Sequence, residues 1–286
     1  MNYHSPNEIR ALLAERGLTL KKRWGQNFLI SKDVLEKIVG YIRPMEGKWL
    51  WEIGPGLGAL TRRLVDAGAR LTLYEIDWGM ISWLGEAFTG ENIDIVQGDV
   101  LKTWKEVLQK EGPPDVVCGN LPYSSASAII LAFILEGFIP KRSVYTVQRE
   151  LAQRMTAPAG SKNYSSFSVL VQSFYAVKEK TDVAPGSFYP APDVTSTILS
   201  LEPAASPPAD EYRPLFFSIV RDAFRSRRKK LVNNLRAGVG TAISHDALPA
   251  ALEEVSISEN ARAEELSPGD FMKLAASLHR YEKRER

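Results

Sequence analysis

The chain has 286 residues, of which 36 are Lys or Arg and 34 are Asp or Glu, a net formal charge of +2. With 44% hydrophobic and 24% charged residues it has the make-up of a globular protein, which excludes a disordered, collagen-like or coiled-coil chain. Its length suits one large domain and a smaller one.

The predicted elements begin with a strand over Trp49–Ile53 that stops at Gly54, followed by a helix over Ala59–Ala67 with Leu60, Leu64 and Val65 on one side. Arg70–Ile76 reads as a second strand and Ile81–Phe88 as a helix. Asn92–Val96 and Asp115–Cys118 are third and fourth strands, and Ala128–Leu135 a buried helix. Ser143–Gln148 is a fifth strand, with a helix over Glu150–Thr156. This alternation predicts an α/β fold, a mostly parallel sheet with helices on both faces. Phe167–Val177 and Val194–Leu201 are rich in β-branched residues and read as an extended antiparallel pair closing the sheet. Residues 203–210 form a Pro-rich linker, and the remainder reads helical. The expected division is a catalytic domain over 1–202, its first 45 residues a helical segment, and a small all-helical domain over 211–286.

The longest apolar run, Ala128 to Leu135, ends at Glu136, well short of the roughly 20 residues that a membrane span needs. Charged Glu8, Arg10, Glu15 and Arg16 leave no secretory apolar stretch near the N-terminus. Cys118 is the only cysteine, and His4, His245 and His279 lie far apart in sequence, so neither a disulfide nor a metal site is expected. A cytoplasmic setting is expected. The near-neutral total hides basic clusters at Lys21-Lys22-Arg23, Lys141-Arg142 and, most densely, Arg221–Arg236 with seven basic residues and one acidic. Local basic stripes on a neutral protein suit a polyanion held at defined places, although such a run can be only a solvated face.

Gly54-Pro-Gly-Leu-Gly58 lies between the first strand and its helix, where glycines let backbone approach a ligand. Glu75 ends the second strand, 21 residues after Gly54, where an acid can take the ribose hydroxyls of an adenosine-containing cofactor. Asp99 follows the third strand, placed to accept from an adenine amino group. The Gly-x-Gly-x-Gly spacing tilts from a dinucleotide toward S-adenosyl-L-methionine. Asn120-Leu-Pro-Tyr123 follows the fourth strand. The lone pair of an exocyclic amine such as adenine N6 is delocalised into the ring. A site that methylates it needs acceptors for its two N–H bonds. The Asn120 side-chain oxygen and the Leu121 carbonyl can be those acceptors, Pro122 stiffens the turn, and Tyr123 offers a stacking face. Taken alone, either motif could be only a structural turn. Trp49, Trp51, Trp78, Trp83 and Trp104 read as packing residues, and Cys118 as a small buried one.

The sequence resembles the small-subunit ribosomal RNA adenine N6-dimethyltransferase family, bacterial enzymes linked to kasugamycin sensitivity. Gly25-Gln-Asn-Phe-Leu29, Glu52–Thr61, Glu75-Ile-Asp77, Gly98-Asp99 and Asn120–Tyr123 stand in that family's order. Phe188–Val194 and Phe224–Lys230 with Asn233-Asn-Leu235 follow, then Arg262–Ser267. The resemblance implies a Rossmann-like class I methyltransferase domain, with a seven-stranded sheet whose last strand is antiparallel. It implies cofactor contacts from Gln26, Asn27, Leu29, Gly54, Gly56, Glu75, Asp99 and Asn120, and catalysis at Asn120, Leu121, Pro122 and Tyr123. Phe188 is expected to clamp the target base. A basic helix carrying Arg221, Arg225, Arg227, Arg228, Lys229 and Lys230 is expected to bind RNA. The implied partner is small-subunit ribosomal RNA in the assembling subunit, with no membrane or metal and a monomeric chain. Trp24, Val100 and Ser124–Ser127 depart from the family pattern. A large-subunit ribosomal RNA methylase, a DNA adenine methyltransferase, an RNA-binding assembly factor and a nicotinamide-dependent oxidoreductase are the alternatives; the last leaves Asn120–Tyr123 unexplained.

Overall fold

A computed structural model describes residues 1–21, 25–43, 46–238 and 247–285. Lys22, Arg23, Trp24 and His245, singled out in sequence, lie outside the described residues. The chain divides into two compact units, one of Met1–Ala132, Ile139–Ala152 and Lys178–Glu202, the other of Phe133–Phe138, Gln153–Val177 and Pro203–Arg286.

The chain opens with α1 (Pro6–Glu15), β1 (Phe28–Leu29) and α2 (Lys32–Ile42). The alternating series follows as β2 (Trp49–Ile53), α3 (Ala59–Asp66), β3 (Arg70–Glu75), α4 (Trp78–Ala87), β4 (Ile93–Gln97), α5 (Val100–Glu111), β5 (Val116–Asn120), α6 (Ala126–Leu135), β6 (Ser143–Gln148) and α7 (Arg149–Thr156). Next come α8 (Ser166–Phe174), β7 (Tyr175–Val183), β8 (Phe188–Tyr189) and β9 (Ser196–Pro203), then α9 (Arg213–Ala223), α10 (Leu231–Arg236), α11 (Ala247–Glu254) and α12 (Pro268–Glu285). Side chains that accept backbone N–H groups start several of these helices: Ser5, Ser31, Asp77 and Asp99 cap α1, α2, α4 and α5.

Seven strands form one sheet in the order β4-β3-β2-β5-β6-β9-β7. The pairs from β4 to β6 are parallel, and β9 runs antiparallel to β6. Leu50, Leu71, Leu73, Cys118, Val144 and Ile198 join side chains of α2, α3 and α4 in one core. Trp51, Val117, Tyr145 and Leu199, from the alternate positions, are equally buried. Both faces are therefore covered, which explains why these strands read as continuous apolar runs. Strand order reverses between β2 and β5, and such a switch opens a crevice at the strands' C-terminal ends. A separate pair, β1 with β8, matches Phe28 to Tyr189 and Leu29 to Phe188. It joins two sequence motifs about 160 residues apart, a pairing the sequence reading did not foresee.

Residues 166–174 correct an expectation, since they are helical and extended chain begins only at Tyr175. The buried positions of α8 are Phe167, Ser168, Val169, Val171, Ser173 and Phe174, which surround its axis. A helix without a polar face shows no 3.6-residue period, so its Phe and Val content read as strand. Ser165 and Ser168 cap it reciprocally. In the second unit, Phe174, Phe216 and Phe217 cluster with ring centroids 5.7–6.3 Å apart. Phe224 packs on Tyr164 and Phe271.

Among the described glycines, the closest approach to another stretch of backbone is at Gly119. A Cβ there would lie 2.2 Å from the Ile53 carbonyl oxygen, at φ +154°. Gly119→Ala is expected to lower unfolding free energy by about 3 kcal/mol or more, from overpacking plus strain. Gly90→Ala, at φ +82° with nothing within 4 Å, is expected to cost about 1 kcal/mol from the left-handed backbone alone. Urea unfolding of the two variants checks the difference.

Candidate active site

A cleft of about 260 Å³ opens at the ends of β2, β3, β4 and β5, lined among others by Gln26, Asn27, Gly54, Glu75, Asp99 and Asn120. Each of these was named from sequence as a cofactor contact. Gly54 and Gly56 take φ of +70° and +57° in the glycine turn. The Phe28 ring would meet a Cβ on Gly56 at 3.0 Å, so this turn needs glycine for both conformation and space.

Glu75 is 6% exposed. Its Oε1 accepts from the N–H groups of Ile76 and Asp77 at 2.8 and 2.9 Å, and Oε2 from Gly56 at 3.2 Å. Burial raises its pKa above the usual carboxylate range, and the three N–H donors oppose that rise. A carboxylate offers about four lone-pair sites, so three are in use and capacity remains on Oε2. The Asp99 Oδ1 accepts from the Leu101 N–H at 3.0 Å as the cap of α5, a second task for a residue read only as a ligand contact.

Asn120 ends β5. Its Nδ2 donates to the Asn27 carbonyl at 2.9 Å. A carbonyl can only accept, so this bond fixes which end of the amide is the oxygen. That oxygen, Oδ1, is buried and has no partner. The Leu121 N–H donates to the Thr146 carbonyl at 3.0 Å, and among the described residues the Leu121 carbonyl accepts nothing. Pro122 accepts from Ser125 and Ala126 at 3.0 and 2.9 Å, beginning α6. The Tyr123 hydroxyl is 2.6 Å from the Ser196 Oγ, which fixes its ring at the far end. Ser124 and Ser125, part of the departure from the family pattern, also line the cleft.

Other expected site residues lie elsewhere. Phe188 is 2% exposed and belongs to the core with Leu29. Neither side chain is on the cleft wall, and Phe188 presents no free face to a base. Gln26 lines the cleft but spends its amide on neighbours, accepting from the Lys21 N–H at 2.8 Å and donating to Asp77 at 3.1 Å. Asp77, unassigned in sequence, is buried, caps α4 and also pairs with Lys21 at 3.3 Å. An acid immediately before a helix was its available signal. Trp78, read as packing, is 68% exposed. The expected basic helix is also corrected. Residues 224–230 form the turn between α9 and α10, held by Asn234 Nδ2 donating to the Ala223 and Ser226 carbonyls at 2.7 and 2.9 Å. Arg221 forks onto the buried Asp222, Arg225 donates to the Ala237 carbonyl, Arg227 to the Lys162 carbonyl and Lys230 to Asn260. Arg228 and Lys229 are exposed, with no side-chain partner among the described residues.

Among the described residues no group of three or more His, Cys, Asp or Glu could hold a metal ion, and no helix is long and apolar enough to cross a membrane. The family model for ribosomal RNA adenine dimethylase matches residues 17–280. The Treponema denticola protein called Ribosomal RNA small subunit methyltransferase A is 39% identical over 96% of this chain and 94% of its own length. Its namesake in Deinococcus radiodurans is 36% identical over 96% and 91%. Among solved structures, a dimethyladenosine transferase from Plasmodium falciparum is 26% identical with TM-score 0.69, covering 85% of this chain and 94% of that one. The 23S rRNA methyltransferase ErmE is 25% identical with TM-score 0.65, covering 88% and 99%.

Beneath the glycine turn, Glu52 of β2 is buried, with its carboxyl pushed up to about 8, first by desolvation; the Thr61 hydroxyl opposes the shift and the Glu75 charge adds to it. A proton held more tightly folded than unfolded stabilises the fold below the ordinary glutamate range, and that stabilisation is lost as pH rises. Unfolding free energy is therefore expected to carry a component that declines from about pH 4.5 to about pH 8. Denaturant titrations across that range should show Glu52→Gln flattening the decline.

Proposed function

The chain belongs to the ribosomal RNA adenine dimethylase family, and we propose that it dimethylates N6 of two adjacent adenosines in a hairpin loop near the 3′ end of small-subunit ribosomal RNA, with S-adenosyl-L-methionine as donor, during assembly of that subunit. The carrying observation is the buried, unpartnered Oδ1 of Asn120, a residue that lines the cleft. Together with the Leu121 carbonyl, which accepts nothing among the described residues, it offers acceptors on two consecutive residues for the two N–H bonds of an exocyclic amine. A large-subunit specificity is less well supported, because identity to the 23S enzyme is 25% against 36–39% to the small-subunit relatives.

The residues present fit the donor. Glycines clear the backbone for it, the Glu75 Oε2 retains capacity for a ribose hydroxyl, and Asp99 can take the adenine amino group. Asn27 and the Leu29 backbone belong to the methionine end. When bound, the sulfonium supplies an electrophilic methyl and a good leaving group. The chain's own contribution is placement. Asn120 and Leu121 accept from N6 as it changes toward tetrahedral geometry, drawing its lone pair out of the ring. Asn120 is neutral and takes no proton, so the proton that N6 loses passes to water. The Ser196-anchored Tyr123 ring supplies the stacking face for a base taken out of its own stack. Phe188 acts from the core, where its pairing with Leu29 fixes β1. A hairpin loop lowers the unstacking cost, and the second transfer needs the same two acceptors to readmit a monomethylated amine.

In single-turnover methyl transfer with saturating RNA and cofactor, Asn120→Ala is expected to cut the rate by about 10²–10³, the scale of losing one oriented polar partner. RNA affinity is expected to change little. Near-normal transfer would place the reaction centre elsewhere. For RNA, Arg228 and Lys229, exposed and unpaired among the described residues, are the favoured phosphate contacts. Replacing both with Gln is expected to lower the slope of log affinity against log salt by about 0.7–0.9 per residue. Titrations at several salt concentrations check this, and an unchanged slope would make the turn a solvated face.

A further inference from the structure

Trp78 is 68% exposed, the highest value of any large apolar side chain among the described residues. Its indole has no hydrogen-bond, ring or cation partner among them, so packing gives no reason for a large ring at this position. The backbone beneath it is fixed. Glu75 accepts from the N–H groups of Ile76 and Asp77, and the buried Asp77 accepts from Gly79 as the cap of α4. The ring is therefore presented from a rigid helix start, with little backbone freedom left to lose when a partner settles on it.

Ile76, also exposed, lines the cleft, and Trp78 stands two residues beyond it, on the rim and not on the wall. β3 lies two strands from β5 in the sheet, a separation of about 10 Å. That is the length of about three nucleotides at duplex rise, so RNA that delivers a base to Asn120 carries its neighbours toward this rim. Cations frame the ring. Lys21 reaches the start of α4, its Nζ 3.3 Å from Asp77, where Leu18 crowds against Gly79. Lys102 is exposed in the first turn of α5, which follows the strand paired to β3. Glu75 and Asp77 are buried, so neither presents its charge at the surface. Further along the same face of α4 the exposed residues are Ser82 and Gly85. The apolar patch is thus two side chains wide. It is far below the roughly 800 Å² per partner of a protein interface and has the size of one nucleobase.

We propose that Trp78 is the stacking platform for an unpaired nucleotide beside the target adenosine in the substrate RNA, with Lys21 and Lys102 meeting the flanking phosphates; the assignment rests on the ribosomal RNA reading above. Taking the target base out of its stack strips its loop neighbours of a stacking partner. The indole face returns that contact. It lowers the cost of delivering the target base and fixes which nucleotide of the loop enters the cleft. Tyr123 receives the target base itself, whereas Trp78 does not meet the reacting atoms and is a positioning residue.

The test uses the whole chain and small ribosomal subunits reconstituted with unmethylated ribosomal RNA. Trp78→Ala is expected to weaken subunit binding about 5- to 100-fold, the range for one base–aromatic stack. Trp78→Leu, apolar but without a ring, should lose as much, and Trp78→Phe should stay within about threefold of wild type. The slope of log affinity against log salt should be the same in all four proteins, since no charge is removed. Affinity for S-adenosylhomocysteine should change by less than about twofold, as for a surface substitution. Each nucleotide of the hairpin loop is then made abasic in turn. One position should cost wild type the same factor as Trp78→Ala and cost the variant nothing further. Wild-type affinity in Trp78→Ala or Trp78→Leu overturns the proposal. A matching loss of S-adenosylhomocysteine also overturns it, by making the ring a cover for the cofactor. So do abasic costs equal in wild type and variant at every position, which would assign the ring to a protein of the subunit. If Trp78→Ala fails to fold, Trp78→Leu takes its place in the abasic comparison. Wild type that does not bind the unmethylated subunits overturns the RNA reading itself, and this proposal with it.

Discussion

The hydrogen bond from Asn120 Nδ2 to the Asn27 carbonyl is the contact on which the site depends. It joins the end of β5 to a segment 93 residues earlier, and it leaves the amide one free pole, the buried Oδ1. An unpartnered buried acceptor costs on the order of 1–3 kcal/mol. Here that cost is confined to one atom of a residue that lines the cleft. The Asn27 side chain donates in turn to the Gly25 carbonyl at 3.0 Å, and the β1–β8 pair fixes the far end of the same segment. The acceptor is therefore oriented by the fold before a substrate arrives, as electrostatic preorganisation requires.

The sheet makes this arrangement possible by letting β2 and β5 approach very closely. Gly119 admits the Ile53 carbonyl where any side chain would collide, and the reversal of strand order beside it opens the crevice. Gly54, Glu75, Asp99 and Asn120 are thus brought together as the ends of four adjacent strands.

Much of this was legible in the sequence for a physical reason. Strands buried on both faces are apolar runs, and residues at their C-terminal ends stand out as polar or glycine. β2 and β6 have the limits read from the sequence, and seven of the eight expected cofactor contacts share one cleft. What was not legible depended on partners distant in sequence. The apolar circumference of α8 hid its period. The basic residues after α9 have helix-like composition, yet Asn234 draws two carbonyls out of any helix there. Phe188 has the sequence context of a base clamp, but its pairing with Leu29 buries it. Trp78 sits on a capped helix start that faces outward, which composition does not reveal.

Two buried carboxyls flank the glycine turn, and their surroundings differ. Glu75 receives three backbone N–H groups, so its charge is already spread over fixed dipoles, and it is held in place by the protein alone. Such a group reads neutral donors well, because adding a hydroxyl completes its shell without bringing in further charge. Glu52 receives one hydroxyl and faces an acid, a thiol and a phenol. It lacks the dipoles that would make ionisation comfortable, and burial pushes its carboxyl up to about 8. The same residue type on neighbouring strands is thus held in two electrostatic states by what surrounds it: three backbone N–H groups oppose the effect of burial at Glu75, and a single hydroxyl opposes it at Glu52. The difference follows from position, because the glycine turn and the start of α4 aim their N–H groups at the end of β3, whereas Glu52 lies inside β2, where the backbone donors are spent on the sheet.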